Sequence, residues 1–218
     1  MFLTIECPSL LPAAKECDLT DDILHAAIRC FSRNGFHKTS INDITRELGA
    51  SKGSIYYYFK NKSEIIYKVV EKGVSAINEC ITLELSKEQS LADLMRRVVT
   101  SFVEMSFSFP ELIRVAYGEE NRGLDEELTV GIRRLKSTTV QLVASNLSAG
   151  AEIHVVKEGL DYDLVASSVI AMMGAACIEN GQKEEPKSKS EMVRHLVALV
   201  STGIFSEDKS QAPESFHW

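Results

Sequence analysis

The stretch TSINDITRELGASKGSIYYYFKNK, residues 39–62, decides the fold of this 218-residue chain. Its small polar residues stand where helices begin. Ser40, followed three positions later by Asp43, is the capping-box pattern of a helix N-terminus. Ser51 and Asn61 are of the residue types that cap helices most often. The stretch therefore predicts three helix starts in close succession.

The link between the first two of these helices is very short. An apolar stripe ends at Leu48, and only Gly49 and Ala50 separate it from the next cap at Ser51. Glycine readily takes the left-handed conformation that ends a helix. Two helices joined so tightly must cross at a steep angle, which predicts a helix-turn-helix motif.

The helix that begins near Ser51 carries, on one side, the residue types that a DNA-reading surface needs. Lys52 and Gly53 fall in its first turn, and Tyr56 and Tyr57 follow one turn later on the same side. In helix-turn-helix proteins the N-terminal part of the second helix enters the major groove. Lysine can bond O6 or N7 of guanine, and glycine lets the backbone approach DNA closely. The pattern predicts a DNA-reading helix.

Residues 20–66 resemble the DNA-binding domain of the TetR family of bacterial transcriptional regulators. The residues that carry the resemblance are Ala27, Phe31, Gly35, Phe36, Thr39, Ser40, Ile44, Leu48, Gly49, Ser51, Lys52, Gly53, Ile55, Tyr56, Tyr58, Phe59, Asn61 and Lys62. The bases would be contacted, as the resemblance implies, by Lys52, Gly53 and Tyr57, with Asn42 as a further candidate. The phosphate backbone would be contacted by Thr39, Ser40, Ser54, Tyr56, Tyr58 and Lys62. Taken alone, Tyr58 could be a core residue and Lys62 a solvated one.

Charge is divided unevenly along the chain. The net charge is −7 overall, with +2 in residues 18–62 and −8 in residues 63–218. A globally acidic protein does not bind nucleic acid through its net charge, so DNA binding has to come from a local patch. We expect a loose tail at 1–17, a helix-turn-helix DNA-binding domain at 18–64, a helical domain at 65–206 and a C-terminal tail at 207–218.

The long remainder of the chain predicts helices throughout, so the fold class is all-α. The resemblance implies that this part is a ligand-binding and dimerisation domain. Two apolar helices, at about 162–179 and 190–205, are expected to pair with their copies in a homodimer, although they could instead complete a monomer core. The apolar run at 164–178 is too short to cross a bilayer, which argues against a membrane protein. Arg133, Arg134 and Lys136 are expected on the exterior of another long helix.

An all-helical body rich in aromatic, Met and small residues could enclose an apolar cavity for a small effector. Glu104 and Arg114 are candidates to hold a polar end of that effector. The expected lining consists of Phe102, Met105, Phe109, Tyr117, Met172 and Cys177.

No catalytic, cofactor or metal motif is found in the sequence. There is no Gly-rich phosphate loop, no nucleophile elbow and no paired metal-ligand spacing. The five cysteines are scattered, as in reduced cytoplasmic proteins. The expected function is that of a cytoplasmic, dimeric repressor that binds a palindromic operator and is released by a small, hydrophobic effector. A transcriptional activator, or a DNA-binding regulator without an effector, is the alternative.

Overall fold

The structure, a computed structural model, describes residues 19–86, 91–118 and 124–204. In these ranges the chain forms nine helices and no strand, so the all-α prediction is confirmed. The helices are α1 Leu19–Asn34, α2 Ile41–Leu48, α3 Lys52–Tyr58, α4 Lys62–Leu85, α5 Leu91–Ser108, α6 Pro110–Tyr117, α7 Glu126–Glu152, α8 Tyr162–Gly181 and α9 Lys189–Ile204. Both predicted tails, 1–17 and 207–218, lie outside the described residues.

In and next to the N-terminal unit, α1–α3, the helices α2, α3 and α4 begin where the sequence predicts, and α2 ends where it predicts. The Ser40 hydroxyl accepts from the Asp43 N–H while the Asp43 carboxylate accepts from the Ser40 N–H, which completes the capping box. Gly49 ends α2 with φ 71°, in the left-handed region. Ser51 and Asn61 then cap α3 and α4 through their side-chain oxygens. Local hydrogen bonds thus set the helix-turn-helix geometry.

The hydrophobic core of the N-terminal unit continues into the rest of the molecule. Phe31, Ile44 and Ile55 are fully or almost fully buried in it, and the same cluster extends to Leu112 of α6 and Ile132 of α7. The long helix α4 runs through this cluster and connects the N-terminal unit to the body, α5–α9. The proposed domain boundary near residue 64 stays a prediction, and it falls inside a continuous helix.

Helix α8 is longer than the sequence indicates. It has 20 residues, and a stretch of 18 of them has a mean hydropathy of 1.4, so the helix is long and apolar enough to cross a membrane by those criteria. The sequence argument that its apolar run is too short is therefore wrong. Length and composition are weak evidence for a membrane span, because a helix in the core of a globular protein satisfies them too. In this fold α8 packs against α6 and α7.

Candidate nucleic-acid interface and ligand cavity

The reading helix, α3, turns its apolar side inward and presents an unusually aromatic side to solvent. Ile55 and the following Phe59 are buried. Tyr57 is 84% exposed, the ring of Tyr58 meets it edge-on at 5.0 Å, and Tyr56 is exposed as well. Large aromatic side chains are rarely left in water without a partner. This face is therefore available for binding.

Among the residues that the structure describes, none requires glycine at position 53. Its φ lies outside the left-handed region, and a Cβ built there would meet only the Ser51 Oγ, at 3.6 Å. Glycine in a helix is less favourable than alanine by about 0.5–1 kcal/mol. The missing Cβ leaves room beside Lys52, whose side chain is exposed, for a surface outside the protein to approach.

Three further predicted contact residues are placed within reach of such a surface. Asn42 is exposed on α2. Ser40 is exposed too, although its hydroxyl is also hydrogen-bonded to the Asp43 carboxylate at 2.6 Å. The Ser54 hydroxyl lies 2.9 Å from that of Ser51. The roles of these residues on DNA stay predictions.

Two of the predicted phosphate contacts, whose roles on DNA also stay predictions, have side chains that bond within the protein. Thr39 is 2% exposed, and its hydroxyl lies 2.8 Å from the Gly35 carbonyl and 3.2 Å from that of Cys30. The Lys62 ammonium donates to the carbonyls of Phe36, His37 and Thr39, at 2.7, 3.2 and 2.8 Å. Both side chains hold the turn between α1 and α2.

Lys62 is also packed rather than merely solvated. Its Nζ lies 4.4 Å from the centre of the Phe36 ring, and burial lowers the pKa of the ammonium. The sequence expectation of a phosphate contact, and its alternative of a solvated lysine, both missed this role. The partners lie 23 to 26 residues away, beyond the reach of helical periodicity.

The carboxylates of α2 are engaged with neighbouring groups. Glu47 pairs with Arg29 at 2.7 Å and with Arg33, and hydrogen bonds from these arginines lower the pKa of the Glu47 carboxyl. Hydrogen bonds from the hydroxyl and N–H of Ser40 lower the pKa of the Asp43 carboxyl. Pairing of the Glu47 negative charge reduces its repulsion of a polyanion near the reading helix.

The body contains a cavity between α4, α5, α6, α7 and α8. It leaves about 70 Å³ of space for the centres of water-sized spheres, and it is partly open to solvent. No charged residue is among those that line it. The lining residues are Ile77, Cys80, Ile81, Met95, Val98, Val99, Ser101, Phe102, Met105, Tyr117, Thr139, Val143, Val169, Ile170 and Met173.

Of the six residues expected to line a pocket, the structure brings three to this cavity: Phe102, Met105 and Tyr117. Phe109 lies instead in a seam between α1, α4 and α6, and Cys177 borders a separate small hollow. Met172 packs into neighbouring apolar clusters, while its neighbour Met173 lines the cavity. The polar-end candidates Glu104 and Arg114 are not among the lining residues.

Tyr117 forms one wall of the cavity and is held from three sides. Its ring meets that of Phe102 edge-on at 5.9 Å, and Gly174 of α8 lies directly against it. The Lys136 Nζ lies 4.8 Å from the ring centre. Burial raises the pKa of the Tyr117 hydroxyl to about 12.

Lys136 was expected on the exterior of α7, and that expectation is wrong. Its ammonium donates to the Ala116 carbonyl at 3.0 Å, at the C-terminal end of α6, where a cation is favourable. Burial lowers the pKa of this ammonium. The long lysine stem allows an outward-starting side chain to reach an inner partner.

Sequence reasoning missed the polar part of the cavity wall. The Cys80 thiol donates to the Ser101 hydroxyl across 3.1 Å, and the Thr139 hydroxyl donates to the Asn78 side chain at 2.7 Å. Small polar residues on otherwise apolar helix faces were the available signal. In the described part of the chain, no cluster of three or more His, Cys, Asp or Glu residues could hold a metal ion.

The sequence and the fold of this chain are both similar to those of known bacterial regulators. Residues 23–69 match the family model for "Bacterial regulatory proteins, tetR family". The chain is similar to the fatty acid metabolism regulator protein of Bacillus subtilis, at 22% identity over 178 residues, covering 80% of this chain and 91% of that protein.

Two solved structures share the fold. The fatty acid degradation regulator FadR from Bacillus halodurans has a TM-score of 0.77 at 19% identity, covering 87% of this chain and 98% of its own. The transcriptional regulator FadR from Bacillus subtilis, in complex with stearoyl-CoA, has a TM-score of 0.74 at 20% identity, covering 84% and 97%.

Proposed function

Because this chain belongs to the TetR family of bacterial regulatory proteins, and is thus a ligand-responsive DNA-binding transcriptional regulator, we propose that it is a homodimeric repressor. In this proposal it acts in the cytoplasm, blocks a promoter by binding a palindromic operator, and is released when an apolar effector fills the cavity in its body.

The observation that carries the proposal is the outward face of the reading helix. Tyr57 is the most exposed large apolar side chain of the described residues, beside exposed Lys52 and a glycine that the fold does not need. Lysine and tyrosine donors with a closely approaching backbone suit base edges and phosphates in the major groove. Two-fold symmetry would let each contact act twice on a palindromic site.

The last two helices support dimerisation. Helix α8 is strongly apolar, yet Leu164 is 62% exposed, and on the neighbouring α9 Leu199 is 57% exposed. Ser168, Ala171 and Ala175 continue the exposed side of α8 with small residues that allow close helix packing. Covering these faces with a second copy would bury apolar surface, and removing such surface from water is favourable by about 25 cal/mol per Å².

The apolar lining of the cavity supports an effector that places an apolar group there. No Asp, Glu, Lys, Arg or His is among the described residues that line it, so a charged group bound inside would lose its hydration without an oppositely charged partner. An acyl thioester such as the stearoyl-CoA held by the Bacillus subtilis relative meets this requirement if only the chain enters and the charged portion stays at the surface.

The DNA part of the proposal is tested by selecting a binding site from randomised duplexes and measuring affinities for it. We expect a pseudo-palindrome. Lys52→Ala and Tyr57→Ala should each weaken binding by about tenfold or more per half-site, since a good base contact contributes about 1–3 kcal/mol. Lys183→Ala, in the exposed loop between α8 and α9, is the charge-matched control for Lys52→Ala. Unchanged binding by both α3 variants would refute the docking.

Release and assembly need separate measurements. Stearoyl-CoA should weaken operator binding by wild-type protein, while CoA alone should not. The mass in solution should be twice the 24.2 kDa chain mass, and Leu199→Glu should shift it toward the monomer. If wild-type protein had the mass of a monomer at micromolar concentration, the proposed dimer would be contradicted. Binding upstream of a promoter, rather than across it, would favour activation over repression.

A further inference from the structure

A buried carboxylate of the body reaches the turn that leads into the helix-turn-helix. The Glu111 Oε1 atom on α6 accepts a hydrogen bond from the Phe36 N–H at 2.5 Å, across 75 residues of sequence. Glu111 is 6% exposed, and Arg114 lies 3.5 Å away on the same helix. A hydrogen bond to an ionised acceptor is stronger than one between neutral groups. The contact is therefore a firm link between α6 and the N-terminal unit.

The turn that Glu111 holds has little freedom of its own. Gly35 ends α1 in the left-handed region, with φ 77°, and Phe36 is buried directly after it. From the other side, the Lys62 ammonium binds the Phe36 and Thr39 carbonyls. A shift of the Phe36 N–H must therefore move the start of α2, and with it the reading helix.

The far end of α6 is part of the cavity wall. Tyr117, its last residue, packs against Phe102 and α8, while Lys136 binds the carbonyl next to it. Tyr117 is six positions after Glu111, which is about 9 Å along a helix at 1.5 Å per residue. A helix this short moves as one piece, so displacement of Tyr117 is carried to Glu111.

We propose that Glu111 is a positioning residue that couples the cavity to the DNA-reading helix, through its hydrogen bond to the Phe36 N–H. This inference rests on the proposed function, because it assigns how an effector in the cavity changes operator binding. Coupling requires that the effector favour a state in which this bond is altered. Operator and effector binding would each persist without Glu111, but they would no longer influence one another.

The link itself is tested by hydrogen exchange at the Phe36 amide, followed by NMR in the full chain. Glu111→Leu keeps the apolar stem but removes the acceptor, and should speed exchange at Phe36 by about tenfold or more. Glu111→Gln retains an acceptor oxygen, so its exchange rate at Phe36 should fall between those of wild type and Glu111→Leu. Glu152→Leu, the same change at an exposed residue of α7, should leave Phe36 exchange unchanged. Equal exchange in wild type and Glu111→Leu would overturn the proposal.

Coupling is tested with stearoyl-CoA as the probe. Operator affinity is measured with and without saturating probe in each variant, and probe binding is measured on the free protein. In an allosteric regulator the ratio of operator affinities without and with the effector is about 5–150-fold. In Glu111→Leu it should fall to within about twofold while probe binding persists. A wild-type ratio in Glu111→Leu would overturn the assignment.

A second perturbation of the cavity keeps this test independent of the effector class. Phe102→Leu removes the edge contact to Tyr117 and should change both Phe36 exchange and operator affinity in the wild-type background, but not in Glu111→Leu. Such non-additivity between separate sites measures their coupling. Stearoyl-CoA could leave the operator affinity of wild type unchanged while the effects of Phe102→Leu and Glu111→Leu are non-additive. In that case the proposed effector class is wrong, and the coupling through Glu111 is supported. Additive effects would overturn the link itself.

Discussion

The reading helix and the cavity wall both depend on tyrosine, and the two regions use it in opposite ways. Tyr57 on α3 is 84% exposed, and the ring of its neighbour Tyr58 meets it edge-on. Tyr117 on α6 is enclosed by Phe102, Gly174 and Lys136, and burial raises its pKa to about 12. The first is held ready for a partner outside the chain, while the second holds the chain together.

This contrast separates residues that the fold explains from residues that it does not. Lys62, Thr39 and Gly174 each have a partner inside the molecule. Within the described part of the chain, no neighbour requires glycine at position 53, and the Tyr57 side chain is mostly exposed. We therefore expect substitutions of Lys62, Thr39 and Gly174 to change mainly the free energy of unfolding. Substitutions of Gly53 and Tyr57 should change mainly operator binding.

The largest stability effect is expected for Lys62→Met. Methionine keeps the apolar stem but removes the donor that binds three backbone carbonyls. Loss of hydrogen bonds to a charged group should lower the free energy of unfolding by about 1.5–3 kcal/mol. Urea unfolding measures it, with Lys60→Met, at an exposed lysine two residues earlier, as the control. Equal effects of the two changes would mean that Lys62 does not hold the turn.

A slightly smaller effect is expected for Gly174→Ala. A Cβ at this position would lie 2.7 Å from the Tyr117 Cγ and 2.9 Å from its Cβ, so α6 and α8 would have to move apart. Such overpacking should lower the free energy of unfolding by about 1–3 kcal/mol. Gly181→Ala, at the end of the same helix with no atom within 4 Å of the added Cβ, should be neutral or stabilising. If Gly174→Ala left the free energy of unfolding unchanged, the contact between α8 and Tyr117 would have to relax at little cost.

How much the sequence could predict follows the range of the interactions involved. The caps at Ser40, Ser51 and Asn61 bond N–H groups three residues away, and all three were correctly read from local pattern. The roles of Thr39 and Lys62 depend on how the turn between α1 and α2 folds back, which local pattern does not encode.

The cavity was predicted less well because its wall resembles an ordinary core. Helix α8 is apolar almost all round, so its sequence does not indicate which side faces the cavity: it predicts Met172, whereas Met173 lines the cavity. Phe102 and Tyr117 were found because aromatic residues fill cores and cavities alike. Lys136 was misplaced because its stem spans the distance to α6, which the charge of the residue alone conceals.

Gly53→Ala sharpens the comparison by separating stability from binding at one residue. The added Cβ meets only the Ser51 Oγ at 3.6 Å, an ordinary contact. Replacing glycine in a helix should raise the free energy of unfolding by about 0.5–1 kcal/mol. We expect the same change to weaken operator binding, because the Cβ occupies space at the DNA surface. Gly181→Ala should leave operator binding unchanged. A variant that gains stability and binds the operator as well as wild type would remove Gly53 from the interface.

The smallest effect concerns the ion pairs of α2 and their dependence on pH. Hydrogen bonds from Arg29 and Arg33 hold the folded-state pKa of Glu47 below its ordinary 4.5. A depressed carboxyl pKa contributes stability that is complete above the unfolded-state pKa and is lost as pH falls through the folded-state pKa. Glu47→Gln should therefore be slightly less stable than wild type at pH 7, and the difference should stay constant down to about the ordinary pKa of 4.5 and shrink as pH falls below it toward 3. Urea unfolding across this range measures it, with Glu79→Gln at an exposed position of α4 as the control. A difference that stays constant with pH would mean that the pairs leave the titration of Glu47 unchanged, and that they contribute only packing between α1 and α2.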